Sequence, residues 1–355
     1  MHQKPRSPLN ASVVDSLHHL LRPVAPDKFS KAIRHLQRQF STYAATCPMP
    51  LPAPGLIVTP EIRRQSQLYL PIAEIGRVFN RLYCAALTYP PVLSSTPFYQ
   101  AMSWTDCFAK LPPELQFSAN PARLLTALLS DRELLARFLF ASFLPPRFYG
   151  AAGRYPAQQE FIRKWLAGRD RAGLRCLDAA CGIGEDTYIL LNIISEAGYA
   201  SDECSVEGWT LEPLEVWAAT ERRLPHDRHR ELAWRMSTEA VLAGGYDRSI
   251  TFTCLDLLAP DLDMARERFD LIICNGLLGG PIINKPQQLT RALTTLIALL
   301  KPGGLLLIAD HFHGGWQQKY PQGELRALCE RNGLQVCSAG EGFAGLKSDQ
   351  QTTPG

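Results

Sequence analysis

The stretch Leu177-Asp178-Ala179-Ala180-Cys181-Gly182-Ile183-Gly184-Glu185-Asp186-Thr187 places one acid four residues before a glycine pair and two more directly after it. A short apolar run precedes it and an apolar-periodic segment, Tyr188 to Ile194, follows, so the order reads strand, glycine turn, helix. Such a turn presents bare backbone N–H groups at a helix N-terminus, the usual seat of a phosphate. Carboxylates at Asp178, Glu185 and Asp186 would repel a dinucleotide's pyrophosphate there. They suit a ligand that carries an ammonium, a cationic centre and a ribose diol instead.

S-adenosylmethionine (SAM) is such a ligand, and further acids recur where it needs them. Glu212 closes Trp209-Thr210-Leu211-Glu212-Pro213, where a carboxylate takes both ribose hydroxyls in a bidentate grip. Asp256 closes Thr253-Cys254-Leu255-Asp256-Leu257 and would accept from the adenine amino group, with Leu257 beside the ring. Asp178 would accept from the ammonium or from an ordered water. Each acid also has a local reading: Glu185 and Asp186 favour any helix N-terminus, and Glu212 and Asp256 stand at good cap positions. As an ordered set along one sheet edge they favour the ligand.

The elements that must position these residues alternate. A helix over 156–166 precedes strand 174–179, helix 185–197, strand 206–211 and helix 213–223. A polar excursion over 225–247 follows, then strands 250–255 and 269–274, helix 286–300, strand 305–309 and helix 321–332. The tail, 334–337 and 342–347 with Gly340 and Gly342 between, reads as a closing hairpin. Strands rich in Leu, Ile and Cys without polar alternation imply a sheet covered on both faces. The fold class is α/β: a doubly wound, mostly parallel, Rossmann-like sheet preceded by an all-helical N-terminal domain. Ligands of such sheets sit beyond the strands' carboxyl ends, where Asp178, Glu212, Asp256, Asn275 and Asp310 all fall.

Residues 1–150 form the helical domain and 151–355 the ligand-binding one. In the first, a helix from Pro60 must break at Pro71, Asn120-Pro121 opens another, and Ser130-x-x-Glu133 reads as a capping box. Pro48-Met49-Pro50-Leu51-Pro52-Ala53-Pro54-Gly55 is an extended connector. A net charge of +3 over 355 residues, with scattered arginines, argues for no nucleic-acid partner. No apolar run reaches the roughly 20 residues of a membrane span, and the polar N-terminus has no signal-peptide core. The ten cysteines include no C-x-x-C pair, so no metal or redox site is expected, and a reducing cytoplasm is the simplest setting. Cys176, Cys181, Cys254 and Cys274 fall in or beside strands expected to be buried.

The glycine stretch resembles motif I of class I SAM-dependent methyltransferases. Arg147-Phe148-Tyr149, the helix at Phe161, 177–188, Phe269-Asp270-Leu271-Ile272-Ile273-Cys274-Asn275 and Leu300-Lys301-Pro302-Gly303-Gly304 follow the order of the CheR family, which methylates glutamates of chemotaxis receptors. The resemblance spans roughly 147–347. It implies a SAM site of Asp178, Gly182, Gly184, Glu185, Glu212, Asp256, Leu257 and Asn275, beside which Ala180, Thr187 and Gly276 complete the cofactor set. It also implies an acceptor pocket near Arg147, Tyr149, Tyr188, Gly279 and Gly280.

The acceptor half departs from that family. Its Thr-x-Phe-Phe-Arg element reads Pro146-Arg147-Phe148-Tyr149-Gly150 here, and glycine stands where the family has its active-site tyrosine. Between Pro225 and Asp247, where some members carry a receptor-docking β-subdomain, Leu232–Leu242 looks helical. Gly276, Gly279, Gly280 and Pro281 make either an open floor for a bulky acceptor or a tight connection to the next helix. His311 and His313 share a face of an extended segment after the fifth strand; they are candidate general bases or an exposed loop pair. The expected function is methyl transfer to an oxygen of a small-molecule acceptor, carboxylate included. A chemotaxis-type protein carboxyl methyltransferase and a non-catalytic SAM sensor or scaffold are the alternatives. The helical domain is expected to serve as lid and acceptor wall, and the oligomeric state is open.

Overall fold

The structure, a computed structural model, describes residues 13–144, 153–169, 173–259, 266–280, 282–309 and 320–348. The chain divides into two compact units: Met1–Phe148 with Leu224–His229, and Tyr149–Arg223 with Arg230–Gly355.

The first unit is helical, and its prolines mark the joints. Its longer helices are α1 (Ser30–Thr46), α2 (Pro60–Tyr69), α3 (Ile72–Ala86), α4 (Pro121–Ser130) and α5 (Arg132–Phe143). Pro71, which has no N–H to continue a helix, separates α2 from α3. Asn120 caps α4, its Oδ1 accepting from Ala122 N at 2.9 Å. The expected capping box at Ser130 is displaced by one residue. Asp131 is the cap, accepting from the amides of Glu133 and Leu134, whereas Ser130 ends α4 and donates back to Thr126. A carboxylate at the N-cap also interacts with the helix dipole, which decides between the two neighbours. The core is aromatic: Phe79 stacks on Phe98 at 4.3 Å, and Tyr83 stacks on Phe138 while donating its hydroxyl to Ser142 at 2.9 Å.

The second unit runs α6 (Pro156–Ala167), β1 (Leu174–Asp178), α7 (Glu185–Glu196), β2 (Cys204–Thr210), α8 (Pro213–Glu221), α9 (Arg228–Ala243) and β3 (Ile250–Cys254). Then follow β4 (Phe269–Ile273), α10 (Pro286–Leu299), β5 (Leu300–Ala309), α11 (Gln322–Arg331), β6 (Leu334–Ala339) and β7 (Gly342–Lys347). The strands form one sheet in the order β3-β2-β1-β4-β5-β7-β6, parallel except for β7, which runs antiparallel to both β5 and β6. The order reverses between β1 and β4, so their carboxyl ends open at the switch point. This is the Rossmann-like methyltransferase arrangement with its closing hairpin.

β4 is buried at every position, as a strand covered on both faces must be. β3 is not, and Cys254 is exposed rather than buried. β3 is the edge strand, a fact that follows from strand order and not from its composition. β5 begins five residues earlier than the apolar run suggested, because Lys301-Pro302-Gly303-Gly304 joins it through an irregular register opposite Phe269 and Leu271. The excursion after α8 is helical, as α9. Among the described residues, no helix is long and apolar enough to cross a membrane.

Candidate active site

β1 ends on Asp178, and the chain turns through Gly182 (φ +52°) and Gly184 (φ +87°) into α7. Gly184 is required twice over: its φ is left-handed, and a Cβ there would stand 2.8 Å from the Phe252 ring and 2.9 Å from Ala219. The turn therefore lies flat on the core and leaves Ala180 and Gly182 partly exposed at the strand ends.

Asp178 is 4% exposed. Its Oδ2 accepts from Thr187 Oγ1 at 2.7 Å, and Oδ1 accepts weakly from Ala180 N at 3.4 Å. Both donors are neutral. Burial pushes its pKa up to about 7, against the pull of the Thr187 hydroxyl, and the neighbouring Asp186 raises it further. Asp186 is itself raised by burial, although its Oδ1 accepts from Gly153 N at 3.1 Å. Thr187 acts through Asp178, whose carboxylate it orients.

Glu185, in contrast, is neutralised inside the protein. Arg230 of α9 grips it with both Nε (2.8 Å) and Nη2, a bidentate pair with Glu185 only 8% exposed on its side chain. Glu212 stands at the end of the second strand's turn, buried, and Oε1 accepts from Leu214 N at 3.3 Å. The cap reading of Glu212 is thus realised, and it is compatible with a second task for the other oxygen. One residue that the sequence reading passed over belongs beside it: buried Glu215, which accepts from the Thr210 hydroxyl. Asp256 is exposed and closes a local turn, its Oδ1 accepting from Leu258 N at 2.8 Å. Leu257 next to it is buried in the core.

Asn275 lies just past β4, and its side chain is fully engaged. Nδ2 donates to Gln158 Oε1 at 2.8 Å, while Oδ1 accepts from Gln158 Nε2 at 3.2 Å and from Ala309 N at 2.9 Å. Gly276 follows with φ +70°, its amide donating to Ala309 O at 2.8 Å. The next residues fold back: Gly279 N donates to Ile283 O at 2.8 Å and Asn284 Nδ2 to Gly280 O at 3.2 Å. Of the two readings of this glycine run, the geometry is that of a tight connection. Gly279 nonetheless lines a shallow apolar hollow with Leu278, Ile308, Tyr320, Leu325 and Phe343.

Tyr188 packs between helices rather than at the strand ends. It is 4% exposed, donates its hydroxyl to Ala219 O at 3.0 Å and meets Trp234 and Phe252 edge-on or tilted. Burial pushes its pKa up to about 12. Arg147, Tyr149, His311 and His313, with Asp310, lie outside the described residues.

The model of the methyltransferase-domain family matches residues 153–339, more than half of the chain. The chain belongs to this family. It is an enzyme that uses SAM as its methyl donor. The chain is similar to a TehB-like SAM-dependent methyltransferase from Corynebacterium glutamicum (16% identity, 60% of this chain and 96% of that one, TM-score 0.35). It is also similar to a SAM-dependent methyltransferase from Aquifex aeolicus (18% identity, 53% and 87%, TM-score 0.35). A third similarity is to the cyclase SpnF (18% identity, 50% of this chain, TM-score 0.33), of whose length the chain spans 58%. The comparison with curated proteins returns no match. The family shown is the broad one; the closer kinship with chemotaxis-receptor methyltransferases is a matter for proposal.

The residues of this methyltransferase fit the donor. A buried carboxylate held only by neutral donors, as Asp178 is, gains most from a cation beside it. The glycine turn keeps the adjoining backbone free of side chains, and Glu212 offers a second carboxylate one strand away.

Proposed function

We propose that the donor lies across the carboxyl ends of β1 and β2 and that its methyl passes to an oxygen of a small-molecule acceptor. The observation that carries this reading is Asp178, a desolvated carboxylate whose raised pKa reflects burial among neutral donors. The donor, when bound, supplies an electrophilic methyl on a sulfonium. Asp178 in its ionised form would hold the ammonium, Glu212 the ribose hydroxyls, and Asp256 with Leu257 the adenine. Ala180, Gly182 and Gly184 would supply bare backbone. Arg230, by neutralising Glu185, keeps three acids in a row from repelling one another and leaves the local charge on Asp178 and Asp186.

An acceptor carboxylate is already nucleophilic and needs only alignment and exclusion of water. A hydroxyl acceptor needs a base, and His311 or His313 is the proposed one. A small acceptor is supported by helix α9, which fills the stretch where the resembling chemotaxis enzymes carry their receptor-docking β-subdomain. The shallow hollow beside Gly279 supports an acceptor with an apolar body. The proposed kinship with the chemotaxis enzymes is thereby limited to the donor half.

Labelled SAM with a panel of small carboxylic acids, phenols and glutamate-containing peptides tests the reading. Transfer to small molecules is expected, with alkali releasing the label from an ester and sparing an ether. Transfer to peptides alone would overturn the small-molecule assignment. Donor binding with no transfer to any acceptor would point to a sensor.

A further inference from the structure

α6, upstream of the glycine motif, carries a polar residue that its amphipathic pattern does not call for. Gln158 is only 2% exposed, in the first turn of the helix. A buried amide must find partners, and Gln158 finds them in one place, the side chain of Asn275. The two amides exchange a pair of hydrogen bonds, 2.8 Å and 3.2 Å long. Asn275 extends the connection to β5 through Ala309 N, and Gly276 closes it with a bond to Ala309 O.

The other side of α6 is fastened as firmly. The hairpin between β6 and β7 turns at Gly340-Glu341-Gly342, and Glu341 delivers its carboxylate onto the helix start. Oε1 accepts from Ala157 N and Oε2 from Gln158 N, both at 2.8 Å. Those amides have no partner within the helix, so the carboxylate satisfies two of them and meets the positive end of the dipole. The approach leaves no room for side chains on either side of Glu341. A Cβ at Gly340 would stand 2.3 Å from Gln158 N, and one at Gly342 would stand 2.0 Å from Ile308 O. Three segments remote in sequence therefore converge on one turn past β4.

We propose that Gln158 is a positioning residue for the donor site: held in place by the Glu341 cap, its amide fixes Asn275 and, through Asn275, the Gly276 turn at the end of β4. Asn275 then serves the site by where it holds its backbone, since its side-chain bonds are spent on Gln158 and Ala309. This inference rests on the donor-site reading above, and Gln158 itself touches no reacting atom.

The test uses the full chain with S-adenosylhomocysteine as calorimetric probe, and compares Gln158→Leu, Gln158→Glu and Glu341→Gln with the unsubstituted protein at pH 5.5 and 8. Gln158→Leu keeps the volume and removes the amide, and affinity should fall about tenfold at both pH values. Gln158→Glu can return a hydrogen bond to Asn275 Oδ1 only when protonated. Its affinity relative to the unsubstituted protein should recover to within about threefold at pH 5.5 and fall about tenfold short at pH 8. A packing role alone would not make that ratio depend on pH. Glu341→Gln, which keeps one acceptor, should lie between the two.

Hydrogen exchange without ligand supplies the second readout. Gln158→Leu should expose the amides of Gly276 and Ala309 while β2 stays protected. Affinity within twofold in Gln158→Leu, a flat ratio for Gln158→Glu, or unchanged exchange at Gly276 and Ala309 would each overturn the proposal. If the unsubstituted protein fails to bind the probe, the donor reading falls instead, and the exchange result still decides whether the latch exists.

Discussion

Asp178 and Asp270 sit on adjacent parallel strands of one sheet, 4% and 6% exposed, and the protein treats them in opposite ways. Asp270, near the start of β4, is compensated in full: Lys301 Nζ at 2.8 Å, Arg169 Nη2 at 3.1 Å and Arg175 N at 2.9 Å. Asp178, at the end of β1, receives one hydroxyl and one distant amide, and its pKa rises to about 7. Buried carboxylates are costly unless paired, so the amino-terminal edge of the sheet is built for stability. The carboxyl-terminal edge keeps a carboxylate under-compensated, which is the state a binding site for a cation requires.

The sharpest way to break this contrast is at Asp270. Asp270→Asn should cost about 2–4 kcal/mol of stability, read by denaturant unfolding, because two cationic donors lose their charge partner. The affinity of the remaining folded protein for S-adenosylhomocysteine should stay within about twofold. A large loss of affinity with little loss of stability would reverse the assignment of the two edges.

Asp178→Asn should do the converse. Affinity should drop by about 1.5–3 kcal/mol, the worth of a charge-assisted hydrogen bond. Stability at pH 8 should rise, since no buried charge then has to be carried. The same reasoning fixes the pH dependence of the unsubstituted protein. An aspartate near 3.9 when unfolded and near 7 when folded binds its proton more tightly in the native state. Its contribution to stability is therefore present below about pH 4 and lost as pH rises through about 7, and Asp178→Asn should flatten that decline.

Smaller effects refine the picture. Glu212→Gln keeps an acceptor for Leu214 N, so unfolding should move by no more than about 0.5 kcal/mol while donor affinity weakens by about 1 kcal/mol. An equal loss of both would leave Glu212 a cap. Arg230→Met frees Glu185 beside Asp186, and should raise the apparent pKa that governs donor binding by about half a unit. An unmoved pH profile would confine Arg230 to packing.

The alternation of strands and helices, the glycine turn and the closing hairpin were all legible, because each rests on local periodicity or on a residue with special backbone freedom. Asn120 announced its helix for the same reason. At Ser130 and Asp131 two good caps stood side by side, and only the fold shows which backbone amides each one reaches. The polar closures were not legible. Glu341 meets Ala157 across 184 residues of sequence, and Gln158 meets Asn275 across 117, with no local pattern to join them. Arg230 looked like part of a solvated run, and its partner Glu185 looked like a ligand. Glu215, three residues after Glu212, did carry a signal as a second acid in the first turn of α8. Exposure of Cys254 depends on β3 being the sheet edge, which composition does not reveal.

The most direct test of the account is calorimetric titration of the protein with S-adenosylhomocysteine at pH 6 and pH 8, in two buffers of different ionisation enthalpy, with NADH and Asp178→Asn as controls. The account predicts tighter binding at pH 8, about tenfold, with a proton released on binding at pH 6. Asp178→Asn should bind weakly and without that proton, and NADH should not bind. Affinity that ignores both pH and the substitution would show that Asp178 is a structural group, and the donor site would have to be sought elsewhere on the sheet.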